Sequence, residues 1–241
     1  MYGQLHEFAE TRRSELTKRL HPTLEIADAY GVLVSRAVVA LGEKAPASRQ
    51  EVVVRDLIAD VFDFLYEWPR PLFEGRLHVA FPLGRRAYES LSLLSACHQD
   101  TSIAERWDAG RQIGNAEIRK ALANLPFHES EEALRELYRF FSLGTHPNRD
   151  LIAERFLGDG NAYVLGSIGQ PSLIIVVDQC HHIVQMWFWF AALVGYVARQ
   201  VLQESDATWG DDYLIVAAEA HRVAEWLVGY YNTLLEQGGA R

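Results

Sequence analysis

The chain has 241 residues, of which 49% are hydrophobic and 23% charged, and its formal net charge is −9 at pH 7. This composition is typical of a globular protein and excludes the disordered and collagen-like classes. An acidic chain does not bind nucleic acid through a general basic field, so any contact with RNA must use a local patch.

The predicted elements begin with two helices, over residues 3–20 and 23–41, separated at His21–Pro22 because a residue before proline avoids the α region. We expect residues 1–46 to form an N-terminal helical hairpin extension. Ser48 is the predicted N-cap of the next helix, with Glu51 as its capping-box partner. This helix runs to about Trp68, where prolines follow.

Residues 72–99 are predicted to be a long helical stretch that bends at Pro82. Residues 100–102 supply the N-cap of a helix that reaches about Asn124, and Ser130 caps a helix over 131–143. Residues 145–171 form a long irregular segment with a short β-prone piece at 162–165. Two long helices follow, over 172–203 and 208–237.

Hydrophobic periods near 3.6 residues dominate the chain, so we expect an all-α fold. The expected architecture is a single helical bundle domain of about seven to nine helices over residues 1–241, with its core in residues 48–237. The apolar run 183–198 is shorter than the roughly 20 residues that cross a bilayer, and we interpret it as a buried central helix. The aromatic run 187–190 is then core or a subunit interface.

The two cysteines, Cys97 and Cys180, form no CxxC pair and predict neither a zinc site nor a disulfide framework. This pattern is typical of a reducing cytoplasm, and the polar residues 1–13 do not resemble a signal peptide. We therefore expect a cytoplasmic protein without a cofactor.

The first candidate site pairs Arg139, near the end of a predicted helix, with His146 in the segment beyond it. A guanidinium binds phosphate oxygens, and an imidazole transfers protons near neutral pH. Together they can cleave RNA without a metal ion, His146 as acid and base and Arg139 as the phosphate ligand. In the alternative interpretation His146 holds the loop, and Arg139 pairs with Glu132 or Glu136.

A second cluster, Arg85, Arg86 and Glu89, lies in an otherwise apolar helix. Charged groups there must find partners or reach a cleft, because unpaired burial is costly. The cluster either completes a polar substrate-binding pocket with His146 and Tyr138 or forms an internal ion pair that fixes helix register.

A third group, Asp178, His181 and His182, resembles half of a carboxylate–histidine metal site in a helical bundle. A metal site needs three or four convergent ligands, and no second matching helix pair occurs in the sequence. Hydrogen bonding inside the bundle is the alternative.

These residues also resemble a group of uncharacterised bacterial helical proteins, which is itself similar to the HEPN superfamily. The resemblance spans roughly residues 48–203 and rests on an arginine–glutamate helix, an aspartate that starts the next helix and a Tyr-x-x-Phe-Ser-x-x-x-His-Pro turn. The residues that carry it are Arg85, Arg86, Glu89, Asp100, Tyr138, Phe141, Ser142, His146 and Pro147.

HEPN nucleases carry an Arg-x4–6-His motif, which Arg139 and His146 match, although Phe140 follows the arginine where family members usually have a polar residue. The resemblance implies a HEPN-like core, a homodimer and metal-independent cleavage of RNA by a toxin or defence component. Non-catalytic HEPN proteins exist as well. The alternative function is therefore a binding or scaffold module with a small polar pocket.

Overall fold

The structure is a computed structural model that describes residues 2–123, 130–143, 156–157, 162–163 and 173–238. The described helices, in chain order, are α1 (Tyr2–Gly42), α2 (Arg49–Glu67), α3 (Pro69–Phe73), α4 (Leu77–Gln99), α5 (Thr101–Asp108), α6 (Asn115–Leu122), α7 (Glu131–Leu143), α8 (Leu173–Val197), α9 (Arg199–Ser205) and α10 (Trp209–Gly238). Eight of these have at least eight residues. The prediction of an all-α bundle of about seven to nine helices is therefore confirmed.

Two short strands, β1 (Phe156–Leu157) and β2 (Ala162–Tyr163), pair antiparallel. β2 lies in the predicted β-prone piece. The rest of the predicted irregular segment 145–171 lies outside the described residues.

The centre of the bundle is α8, which packs against α1 on one side and α10 on another, while α2 packs against α4. One face of α8 is buried, with Val176, Cys180, Ile183 and Phe190 among its residues, while Gln185, Phe188 and Tyr196 on the opposite face are exposed. The buried hydrophobic residues of all these layers form one continuous cluster. No helix in the described part of the chain has the length and apolar character that crossing a membrane requires.

The helix break predicted at His21–Pro22 is a kink inside one helical element. Helical structure continues across His21–Pro22 as α1, with a kink at Leu20, whose φ of −124° and ψ of 19° are not helical. One distorted residue is enough to accommodate the ring and the missing N–H of Pro22. The residues of α1 also belong to the core, since Leu20, Tyr30 and Val34 are fully buried.

The single helix predicted from residues 100–102 to Asn124 is two helices, α5 and α6. Gly110 separates them, and its φ of +73° lies in the left-handed region that ends a helix. The predicted helix starts are confirmed. Ser48 Oγ accepts a hydrogen bond from Glu51 N, Asp100 Oδ1 accepts one from Ser102 N, and Ser130 Oγ accepts one from Ala133 N.

Two glycines permit tryptophan side chains to lie directly on a neighbouring helix. A Cβ on Gly84 of α4 would lie 2.5 Å from the indole of Trp68, which is fully buried. A Cβ on Gly195 of α8 would collide in the same way with Trp209, whose Nε1 donates to the Leu33 carbonyl of α1 at 2.8 Å. These contacts fix α4 against the end of α2, and α10 against α8 and α1.

Candidate functional site

Arg139 lies on the surface of α7, where its side chain is 70% exposed. Its Nη1 donates to Glu136 Oε1 at 2.9 Å. This is the ion pair expected if Arg139 is a surface residue and not part of an active site. His146 and Pro147 lie outside the described residues. The proposed convergence of Arg139 with His146 therefore stays a prediction.

Three predicted site residues do come together between α4 and α7. Arg85 Nε donates to Glu89 Oε1 at 2.9 Å, and Arg85 Nη2 donates to Tyr138 Oη at 2.8 Å. Asn115 at the start of α6 donates to the same Glu89 oxygen at 3.2 Å, and the guanidinium of Arg119 lies over the Tyr138 ring. Hydrogen bonds connect Arg85, Glu89, Tyr138 and Asn115, so the cluster joins three helices.

Arg86 does not join the polar cluster. It lies on another face of α4, 55% exposed, with its Nη2 3.7 Å from Asp60 Oδ2 and its guanidinium over the Phe64 ring. Arg86 therefore lies apart from Arg85 and Glu89, since adjacent residues of a helix point about 100° apart; the predicted pocket with His146 stays a prediction, because His146 lies outside the described residues. The internal ion pair of Arg85 and Glu89 is the interpretation that the contacts favour.

The third group contains a partly buried carboxylate–histidine pair. His182 Nε2 lies 4.0 Å from Asp178 Oδ1, and the His182 ring packs against Phe140 and Phe141 of α7. Burial raises the pKa of Asp178 to about 6. Burial, with a smaller contribution from His181, lowers the pKa of His182 to about 4. Among the described residues no group of three side chains is placed to hold a metal ion.

The described residues form a groove of about 940 Å³ along α1, which sequence reasoning did not identify. The opposite wall comes from α2 and α3, Trp187 of α8 contributes to the floor, and the loop after α9 closes one end. Its apolar lining consists of Leu24, Ala27, Val32, Val39, Ala40, Phe62, Leu65, Tyr66, Pro69, Phe73 and Trp187. We call this feature the α1–α2 groove.

The floor of the α1–α2 groove is buried, and its rim is exposed. Trp187 is 1% exposed and packs edge-on against Phe62 at 5.7 Å between ring centroids. On the rim, Val32, Val39 and Tyr66 are 59%, 66% and 63% exposed. Apolar side chains exposed together beside an apolar floor are a feature that binding surfaces share.

Polar side chains stand at the edges of the groove. At one end of the groove, Arg36 donates to both carboxylate oxygens of Asp206 at 2.8 Å and to Asp212 Oδ2 at 2.7 Å. These bonds keep the pKa of Asp206 below its ordinary value. Asp28 and Glu67 are exposed at the middle of the groove.

One signal in the sequence could have pointed to the groove. Val32 and Val39 are seven residues apart in α1, outside the stripe of buried residues that includes Leu33, Val34 and Ala37. A second apolar face on a helix needs a second neighbour. The other wall comes from distant residues, so the pattern in α1 alone does not describe a groove.

Comparison of the chain with family models, with curated proteins and with solved structures finds no match.

Proposed function

We propose that this chain is a non-catalytic binding module and that the α1–α2 groove is its binding site. The observation that carries the proposal is the combination of a groove of about 940 Å³, an apolar floor and exposed apolar side chains on its rim. Binding sites are typically concave, mainly apolar and roughly 300–1,000 Å³ in volume. The polar cluster around Arg85 is not the site in this proposal, because its side chains already have partners.

Binding of the neutral apolar dye Nile red tests this proposal. The dye should fluoresce in the wild-type groove, and the double variant Val32→Gln, Val39→Gln should lose most of that signal. Both valines are exposed, and glutamine is a better helix former than valine, so the fold should persist.

The matched control is Leu214→Gln with Ile215→Gln on α10, where the side chains are 65% and 69% exposed. This control should keep the wild-type dye signal. Equal dye binding by wild type and both variants would reject the groove as the binding site.

A second candidate function is metal-independent cleavage of RNA by Arg139 and His146, as the HEPN resemblance implies. The observation that favours it is the exposure of Arg139. Its pair with Glu136 lies in solvent, where ion pairs contribute about 0–1 kcal/mol. A phosphate can therefore displace the glutamate from the guanidinium at little cost.

Cleavage of a labelled single-stranded RNA tests this candidate. His146→Ala and Arg139→Ala should abolish cleavage, while Arg135→Ala, which removes another exposed arginine of α7, should leave it unchanged. The candidate is rejected if wild type and His146→Ala release the same amount of product, or none.

The homodimer implied by the same resemblance is part of the second candidate. Light scattering after size-exclusion chromatography should give twice the chain mass of 27.3 kDa. A mass of one chain at micromolar concentration would contradict it.

A further inference from the structure

We infer that the α1–α2 groove accepts an amphipathic α-helix of a partner protein, with basic residues beside its apolar face. This inference rests on the proposed function, because it names the occupant of the same groove. It follows from the length, the openness and the charge of the groove.

The length of the groove fits a helix of several turns. α1 lines it from Arg13 to Ala40, and the stretch from Leu24 to Ala40, beyond the kink at Leu20, spans roughly 24 Å at about 1.5 Å per residue. Val32 and Val39 stand two turns apart on its rim, roughly 10 Å from each other by the same rise. A helix laid in a groove presents side chains at the matching spacing of i, i+3 or i+4, and i+7.

The openness of the groove favours a macromolecule over a small molecule. A site for a small molecule encloses most of the ligand surface. Here Val32, Val39 and Tyr66 are each more than half exposed. Their apolar surface becomes buried only against an occupant that extends beyond the groove, as a helix does.

The positive charges of the groove are already paired with acidic side chains of the chain itself. Its arginines make these ion pairs: Arg13 with Glu10 at 3.4 Å, Arg36 with Asp206 and Asp212 at 2.7 Å each, and Arg70 with Glu74 at 3.2 Å. The Arg13–Glu10 pair lies in solvent and contributes about 0–1 kcal/mol. An anionic occupant would mainly have to break the pairs of Arg36 and Arg70, whose partners Asp206 and Glu74 are less exposed.

The negative charges of the groove are available instead. Asp28, Glu43 and Glu67 line it and are exposed. None of the three makes an ion pair with a described residue within 4.0 Å. Charge complementarity at the rim of an interface selects partners of opposite sign, so lysine and arginine beside the apolar face of the partner helix match this rim.

Binding of three designed 18-residue peptides, followed by Trp fluorescence and calorimetry at 0.15 M salt, tests the inference. The first peptide is a helix with leucine on one face and lysine elsewhere, the second has glutamate in place of lysine, and the third scrambles the first so that no face is apolar. The lysine helix should bind at least tenfold more tightly than the other two.

Two variants separate the groove from the overall acidity of the chain. Asp28→Asn with Glu43→Gln and Glu67→Gln should weaken binding of the lysine helix at least tenfold. Glu105→Gln with Glu132→Gln and Asp211→Asn removes the same charge at exposed positions that do not line the groove, and should change binding less than twofold.

The outcomes distinguish this inference from the proposed function. If Nile red binds the groove but the lysine helix does not, the inference is overturned while the groove remains a binding site. The inference is also overturned if both triple variants weaken binding equally, because the peptide is then attracted by net charge alone. Loss of dye binding and peptide binding in Val32→Gln, Val39→Gln supports both proposals.

Discussion

Arg85, Glu89 and Tyr138 show what can be predicted from single residues. Charged side chains in an apolar helix must find partners, and the sequence therefore predicted a cluster. Their partners Asn115 and Arg119 were not predicted, because they lie on α6, a helix that the sequence analysis did not separate from α5. Contacts between distant segments depend on how helices pack. The hydrophobic pattern of a single helix does not specify that packing.

Glu89→Ala should lower the free energy of unfolding by about 1–2 kcal/mol, because it leaves the half-buried guanidinium of Arg85 and the Asn115 amide without their shared acceptor. Urea denaturation measures this change. Glu132→Ala, at an exposed position of α7, is the control and should stay within about 0.5 kcal/mol of wild type. Equal effects of the two substitutions would mean that the cluster does not stabilise the fold.

Asp178→Asn should stabilise the fold at pH 8 by about 1–2 kcal/mol, because burial raises the pKa of this carboxyl to about 6. Above that pH the folded wild type carries a poorly solvated negative charge at residue 178, and the asparagine variant carries no charge there. As the pH falls from 6 toward 4, the wild-type carboxyl becomes protonated and the difference should shrink. Urea denaturation at pH 5 and pH 8 checks this, and a difference that grows toward low pH would contradict it.

Helices were predicted best where their ends carry local signals. The sequence identified two N-cap residues, Ser48 and Ser130, and gave Asp100 as one of three candidates for a third. These predictions succeeded because a cap depends on a few adjacent residues. Pro22 misled the prediction, because a proline can either end a helix or sit inside a kinked one. The choice at Pro22 depends on the packing of α1 against α8 and α10, which is not a local property.

Gly84→Ala should lower the free energy of unfolding by about 1–3 kcal/mol, since the added methyl group collides with Trp68, whose indole cannot move within the core. Gly229→Ala in α10 is the matched control, because a Cβ there meets nothing within 4 Å. It should raise stability by about 0.5–1 kcal/mol through the helix preference of alanine. Thermal unfolding of both variants provides the comparison, and stabilisation by Gly84→Ala would refute the packing argument.

At the scale of the whole molecule, the hydrophobic period predicted the all-α class, because every long helix buries one side. It did not predict the α1–α2 groove. Val32, Tyr66 and Trp187 come from three separate helices, and only the assembled bundle places them around one surface. The same assembly joins buried residues of α1 to the core of the other helices.

The continuous cluster of buried residues from α1 to α10 predicts a single cooperative unfolding transition. Arg36 of α1 strengthens this expectation by bonding Asp206 and Asp212, which lie far along the chain. Far-UV circular dichroism and tryptophan fluorescence should give the same urea midpoint. Two midpoints would instead indicate that part of the bundle unfolds on its own.

The central position of α8 has a consequence for synthesis on the ribosome. This strongly apolar helix is translated before α10, which packs against it. The last residue of α10 lies roughly 40 residues beyond the last residue of α8. At about 5–20 residues per second, the nascent chain displays α8 for several seconds before its cover is translated. During that interval, binding by a ribosome-associated chaperone would protect the growing polypeptide from aggregation.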